Sequence, residues 1–236
     1  MSKTSVSGLS TDDFAKTDMV VNMAKALVRN TGVGVYVIDY CLSSIIYVSD
    51  NIAQRYGMSV ETIRTKGYVH YLDYVSHDDY KMLLNINDLV FDFFRNLSSE
   101  EILNHTVIYD FYLNNHLVEQ HYTPVVLRNG KIWLAMCTIS PSSYKQSGHI
   151  IIQKTDSSFY YEYFGNSWVA KRVKSLSDVE KSVLRLSARG FTAEETAKKL
   201  SRSVDTIKAY RKQIMKKFDA DNISEALMFA LNHNMI

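Results

Sequence analysis

Proline and cysteine are almost missing from this 236-residue chain, with two of each. Cys41 and Cys137 lie inside apolar, strand-like runs and share no Cys-x-x-Cys spacing. They read as reduced, buried thiols, not as a disulfide or a metal pair. Long apolar runs are missing too, since nothing approaches the ~18 consecutive residues of a membrane span. The opening MSKTSVSGLSTDDF is polar and acidic, unlike a secretory leader. The expected location is therefore the cytoplasm, with no membrane partner. No P-loop, nucleophile elbow, metal-ligand cluster or paired-carboxylate arrangement occurs, so the sequence supports no enzyme chemistry and no cofactor is evident. His70, His77, His105, His116 and His121 are scattered without ligand spacing. Internal repeats and low-complexity stretches are also lacking.

What is present is ordinary globular material, 46% hydrophobic and 22% charged, in a length that suits two domains. The net charge of +2 hides a division. Residues 171–236 hold 14 Lys+Arg against 8 Asp+Glu, or +6, while the rest holds 13 against 17, or −4. The C-terminal part is built to face a polyanion and the N-terminal part is not.

Residues 11–30 have helical spacing at Phe14, Val21, Ala24, Leu27 and Val28, with Ser10 or Thr11 as the cap. This helix covers the domain's own sheet or pairs with a second copy; the pattern is short for an isolated coiled coil. Strands follow at 33–40 and 45–48, then two short helices at 51–57 and 58–67, each ending at a glycine. A short apolar run at 71–75 leads to a longer helix from His77-Asp78-Asp79 to about Leu97. From His105 the pattern becomes three antiparallel strands joined at Asn114-Asn115 and Asn129-Gly130, the latter a strong two-residue hairpin signal. Pro124 inside the middle strand implies a bulge or an edge. A further hairpin is expected at 149–164, turning at 155–158, and a linker at 165–175.

NIAQRYG after the second strand and YVSHDDYKMLL before the long helix resemble the PAS family over roughly residues 25–140. The resemblance implies a sensory or dimerising domain with a pocket between sheet and helices; the 16 Tyr and 10 Phe read first as core, with lining of such a pocket as the alternative. The expected architecture is thus α+β, with residues 1–164 forming a PAS-like antiparallel sheet with short helices. An all-α four-helix domain at 176–236 completes it.

That last domain carries the strongest signals. Ser177 with Glu180, and Thr192 with Glu195, are capping boxes, and Ser203 with Thr206 opens a third helix. Inward positions are Val179, Val183, Leu184 and Leu186, then Ala193, Ala197 and Leu200, then Ile207, Tyr210 or the stem of Arg211, Ile214 and Phe218. Ala226, Leu227, Ala230 and Leu231 serve a fourth helix. The second and third helices, joined by a tight turn at 200–203, form a helix-turn-helix. The third presents Lys208, Arg211, Lys212, Lys216 and Lys217 beside small Ala209. Cations neutralise phosphates and donate to guanine edges, and a small side chain lets the backbone approach the bases. Lys208, Ala209, Arg211 and Lys212 are the expected base readers. Thr192, Arg202, Ser203, Thr206 and Lys216 are the expected phosphate contacts.

LSxxExxVLxLxAxGxTxxE, then LxxSxxTIK, then IxxKF, resembles the LuxR (GerE) type helix-turn-helix over about 176–231. The resemblance implies a third helix in the major groove of double-stranded DNA. It also implies a fourth helix used for dimer contacts, here Ala226, Leu227 and Ala230. This chain has Thr196 where the family often has Ile, Tyr210 for His, Phe218 for Leu, and Ile223 near a usual Arg. The expected function is a sequence-specific, homodimeric transcriptional regulator controlled through the PAS-like domain. A sigma-like RNA polymerase interaction protein and a homoserine-lactone-type sensor regulator are the alternatives. The antiparallel hairpins exclude a phospho-receiver.

Overall fold

A computed structural model describes residues 11–67, 73–155, 157, 159–172, 175–232 and 235–236. The chain divides into two compact units, Met1–Lys171 and Arg172–Ile236. The N-terminal unit opens with α1 (Thr11–Thr31), β1 (Gly34–Asp39) and β2 (Ser44–Val48). Helices α2 (Asp50–Tyr56), α3 (Val60–Lys66), α4 (His77–Phe94) and α5 (Ser99–Leu103) follow. Six strands then run in succession: β3 (His105–Leu113), β4 (His116–Arg128), β5 (Lys131–Pro141), β6 (Ile150–Lys154), β7 (Phe159–Phe164) and β8 (Ser167–Arg172). With β1 and β2 they form one eight-stranded sheet in the order β2-β1-β5-β4-β3-β6-β7-β8. The C-terminal unit has four helices: α6 (Asp178–Ala188), α7 (Ala193–Leu200), α8 (Val204–Phe218) and α9 (Ile223–Asn232). The class is α+β.

Turn chemistry sets the register of the sheet. Asn114-Asn115, Asn129-Gly130 and Gly165-Asn166 all take positive φ, as two-residue hairpin turns require. Pro124 sits at a register shift between β4 and β5, the expected bulge. The hairpin at β6–β7 extends the sheet beyond β3. Residues 165–172 correct the first part of the expected 165–175 linker, because the Gly165-Asn166 turn sends the chain back as β8 and Trp168 packs against Phe93 and Tyr163; residues 173 and 174 lie outside the described residues. Ser10, His70 and the 156 and 158 positions of the expected 155–158 turn lie outside the described residues, as do residues 71 and 72 of the short apolar run.

Each face of the sheet has its own core. Tyr109, Phe111, Cys137, Ile139 and Ile152 meet Leu83, Ile86, Val90 and Phe94 of α4 on one side. On the other, Val20 and Ala24 of α1 close over Val35, Val37, Trp133 and Leu134. So α1 covers its own sheet through Ala24, Leu27 and Val28 as expected, with Val20 in place of Val21 and Phe14, which is 58% exposed. Two side chains fasten helix starts to the rest of the unit, one at the connection into β1 and one at β3. Asn51 donates to the carbonyls of Gly32 and Val33 at 2.8 and 2.9 Å, while Ser49 donates to its amide oxygen and accepts from Val35 N–H. Buried Asp79 accepts from the Tyr112 amide at 2.6 Å and from Ser76 at 2.9 Å. These are the Asn of NIAQRYG and the second Asp of HDD, so both motifs are structural fasteners.

Cys137 is fully buried and burial pushes its thiol up to about 12; Cys41 is only half-buried, and both are free thiols. On the α1 side of the sheet, buried Asp110 of β3 stands opposite buried Glu119 of β4. Glu119 bonds His121 at 2.8 Å, Ser142 donates to Asp110, and His149 joins Glu162, which also pairs Lys171. Tyr144 stacks on His149 at 4.1 Å. Burial, opposed by the Ser142 hydrogen bond and reinforced by Glu119, raises the Asp110 carboxyl from 3.8 to about 8. The folded chain therefore holds a proton that the unfolded chain releases near 3.8. The stability that Asp110 contributes is fully present below about pH 4 and is lost as pH rises from about 4 to about 8. Thermal unfolding between pH 6 and pH 8 should show this decline for the native chain and a much flatter response for Asp110→Asn; equal slopes would refute it.

Candidate nucleic-acid interface

The C-terminal unit is built on capped helices. Ser177 and Thr192 each accept from the backbone N–H three residues on, while Glu180 and Glu195 return to the cap backbone, so both capping boxes form. Ser203 accepts from Thr206 N–H at 3.1 Å and starts α8. Ser201, left-handed at φ 51, ends α7, and the 201–203 turn joins it to α8 as a helix-turn-helix. Val183, Leu184, Ala197, Ile207, Ile214, Phe218, Ala226 and Ala230 form one core, with Phe218 stacked on Phe229 at 4.7 Å.

Burial of Ile207, Ile214 and Phe218 turns the opposite side of α8 outward. Lys208, Ala209, Lys212 and Lys216 are exposed there together. Asp205 and Gln213 are exposed on that same face, and charge counting alone passed them over. At about 100° per residue, both fall between or beside the lysines, so the helical period was the signal that would have found them. Arg202 and Ser203 are exposed at the start of α8 with Thr206 half-buried, and Thr192 is exposed at the start of α7. Helix starts of this kind present unsatisfied N–H groups and the positive end of the dipole to an anion.

Three expectations need correction. Arg211 is not on the reading face: its Nη2 donates to the Phe191 carbonyl at 2.9 Å and to Ser187 Oγ at 3.3 Å. It lies only about 40° from Ile207 around the helix, at the margin of the buried stripe. Lys217 is likewise turned to its own unit, donating to both Glu180 oxygens at 2.8 and 2.9 Å and to the Ser175 carbonyl at 2.9 Å. Those bonds to Lys217 and Ser177, acting against burial, hold the Glu180 carboxyl below its ordinary value. Ala226 and Ala230 are not surface contacts, because both are fully buried against the core. Leu227 is half-buried in that cluster, and the outward apolar residues of α9 are Met228 and Leu231.

In the N-terminal unit a small cleft of about 10 Å³ opens between α4 and the sheet, beside Tyr40, Asn87, Phe91, Tyr109 and Tyr122. It falls below the ~300–1,000 Å³ of typical ligand pockets. His105 bonds the Glu101 carbonyl at 2.6 Å and His116 the Asn114 carbonyl at 2.9 Å. Among the described residues no group of three His, Cys, Asp or Glu could hold a metal, and no helix is long and apolar enough to cross a membrane.

Thr196 bears on stability. It is fully buried in α7, and its hydroxyl has no hydrogen-bond partner among the described residues. A buried hydroxyl without a partner costs about 1–3 kcal/mol. Thr196→Val keeps the shape and removes that group, so it should raise the unfolding midpoint of the C-terminal unit by several degrees. Thermal melts followed by helical circular dichroism test this, and an unchanged or lower midpoint would show that the hydroxyl is satisfied in solution.

The family described as bacterial regulatory proteins, luxR family (GerE), matches residues 174–230. The transcriptional regulatory protein RcsB of Escherichia coli (strain K12) is 49% identical over 49 residues, covering 21% of this chain and 23% of RcsB. RcsB of Salmonella typhimurium gives the same figures. The chain thus spans under a quarter of the length of these curated relatives. Among solved structures, a phage VqmA–DPO complex is 17% identical with a TM-score of 0.39, covering 94% of this chain and 91% of that one. A Vibrio cholera VqmA–ligand–DNA complex is 15% identical with a TM-score of 0.33, covering 90% and 87%. Capped helices, turn and core spacing agree with the family match, and residues 174–230 are therefore a helix-turn-helix domain of the luxR family of bacterial regulatory proteins.

Proposed function

We propose that the chain is a sequence-specific transcriptional regulator that binds double-stranded DNA as a homodimer, under control of a signal or partner at its PAS-like N-terminal unit. The observation that carries this reading is the outer face of α8, where Lys208, Lys212 and Lys216 surround Ala209. Laid in a major groove, that face brings Lys208 and Lys212 to base edges, lets the backbone approach at Ala209, and leaves Lys216 to a phosphate. Exposed Asp205 and Gln213 add an acceptor for cytosine amino groups and a bidentate partner for adenine. Thr192, Arg202, Ser203 and Thr206 fix the backbone register.

One such helix reads too few base pairs for useful discrimination, so two copies on half-sites about 34–36 Å apart are the expected arrangement. The PAS-like reading of the N-terminal unit is supported by two strands, helices, then three antiparallel strands, with Asn51 and Asp79 fastening them. A signal that favours one arrangement of the dimer would change the spacing of the reading heads.

The experiment is selection of duplexes from a random library by the full chain, followed by binding across a salt series. Lys208→Glu with Lys212→Glu should lower affinity for the selected duplex at least 100-fold, with helical content unchanged. Loss of Lys216 should flatten the log–log salt slope by about 0.9. Unchanged affinity in the double variant would refute the site. Association with core RNA polymerase, without autonomous DNA affinity, would favour the sigma-like alternative.

A further inference from the structure

Arg211 is an arginine on the DNA-reading helix that does not face where DNA would lie. Its guanidinium bridges the Phe191 carbonyl and the Ser187 hydroxyl, at the end of α6 and in the short turn that leads to α7. That turn passes through Gly190 at φ 80, and the Phe191 amide bonds the Leu186 carbonyl at 3.1 Å. Phe191 lies between two cations, Arg189 at 5.3 Å and Lys199 at 4.6 Å from its ring, and is followed at once by Thr192, the cap of α7. One side chain therefore joins the helix that carries Lys208 and Lys212 to the loop that presents the α7 start.

Resting on the DNA-binding reading above, we infer that Arg211 is a positioning residue: it sets the α8 reading face against the phosphate-facing start of α7 and does not itself contact DNA. A hydrogen bond from a charged group to a carbonyl is directional and stronger than a neutral one, so it resists sliding and rolling of α8. Arg holds such a site better than Lys, because its planar fork is pre-organised while an ammonium is a mobile point charge. Phosphate contacts supply affinity without sequence information, and base contacts supply the discrimination. A helix free to shift by a fraction of an ångström keeps the first and loses the second. Loss of Arg211 should therefore lower specificity, not electrostatic affinity.

The test uses the full chain with Arg211→Met and Arg211→Lys, each measured on the duplex selected by the native chain and on a scrambled duplex over a salt series. For Arg211→Met we expect at least a fivefold loss on the selected duplex. Affinity for the scrambled duplex should stay within twofold with its salt slope unchanged. Arg211→Lys should recover part of the loss. Hydrogen exchange at the Phe191 amide should be faster in Arg211→Met without DNA, which reports the clamp directly. A scrambled-duplex slope flattened by about 0.9 would make Arg211 a phosphate contact and overturn the inference. Native behaviour of Arg211→Met on both duplexes would also overturn it, leaving the DNA reading intact. A native chain that selects no duplex would instead overturn the DNA reading and this inference together.

Discussion

The C-terminal unit depends on one stripe of α8, the buried Ile207, Ile214 and Phe218. A helix can satisfy only one core with one stripe, so burying these three commits Lys208, Ala209, Lys212 and Lys216 to solvent. The stripe is fixed at both ends by charged contacts: Arg211 to the turn after α6, and Lys217 to the Glu180 carboxylate of the α6 capping box. Glu180 thus joins two tasks. It completes the N-terminus of α6 and receives the C-terminal turn of α8, where a cation is favoured by the helix dipole.

The N-terminal unit follows a comparable logic with different parts. Around β1 its sheet is buried on both faces, by the α4 core on one and α1 on the other, and this explains why β1 is buried without alternation. Helices lying on a sheet have little to fix their direction beyond packing. Asn51 and Asp79 supply it, the first tying the start of α2 to the connection that leads into β1, the second tying the start of α4 to the backbone of β3. Where the apolar cover of α1 ends, buried polar groups take over around Asp110 and Glu119. Burying two carboxylates on directly opposed residues is stable only if at least one is neutral or each is well partnered. The raised Asp110 carboxyl, the Ser142 hydroxyl and the His121 bond to Glu119 meet that condition together.

Local features were legible in the sequence, and those that depend on a neighbour were not. Caps and two-residue turns act over three or four residues, so Ser177, Thr192, Ser203, Asn114-Asn115 and Asn129-Gly130 could be read directly. The Gly165-Asn166 turn carried the same chemistry but was obscured by the basic residues after it, and so β8 was taken for a linker. On α1, helical spacing groups Phe14 and Val21 with Ala24, whereas Val20 holds the buried position and Phe14 is exposed. Arg211 and Lys217 were placed outward because charged groups usually are. Their acceptors, Phe191 and Glu180, are 20 and 37 residues away, beyond any local pattern. Ala226 and Ala230 are small because neighbouring helices approach closely there, and smallness in sequence does not tell which surface is close.

These corrections change the electrostatic character of the reading helix. Counted in sequence, α8 offers five cations beyond Asp205: Lys208, Arg211, Lys212, Lys216 and Lys217. Two of them are engaged within the unit, so Lys208, Lys212 and Lys216 remain exposed against the carboxylate of Asp205 on the same face. Such a helix attracts DNA less strongly than its composition implies. Because log affinity falls with each phosphate contact given up, a single copy is poorly suited to remain on arbitrary duplex at physiological salt. Weak indiscriminate attraction is useful to a regulator, since the genome presents about 10⁶–10⁹ competing sites for every operator. On the proposed reading, affinity would come from correct base contacts and from two copies acting together, and both would require that α8 be held in one position. On that reading, the internal use of Arg211 and Lys217 would lower the first kind of binding and support the second.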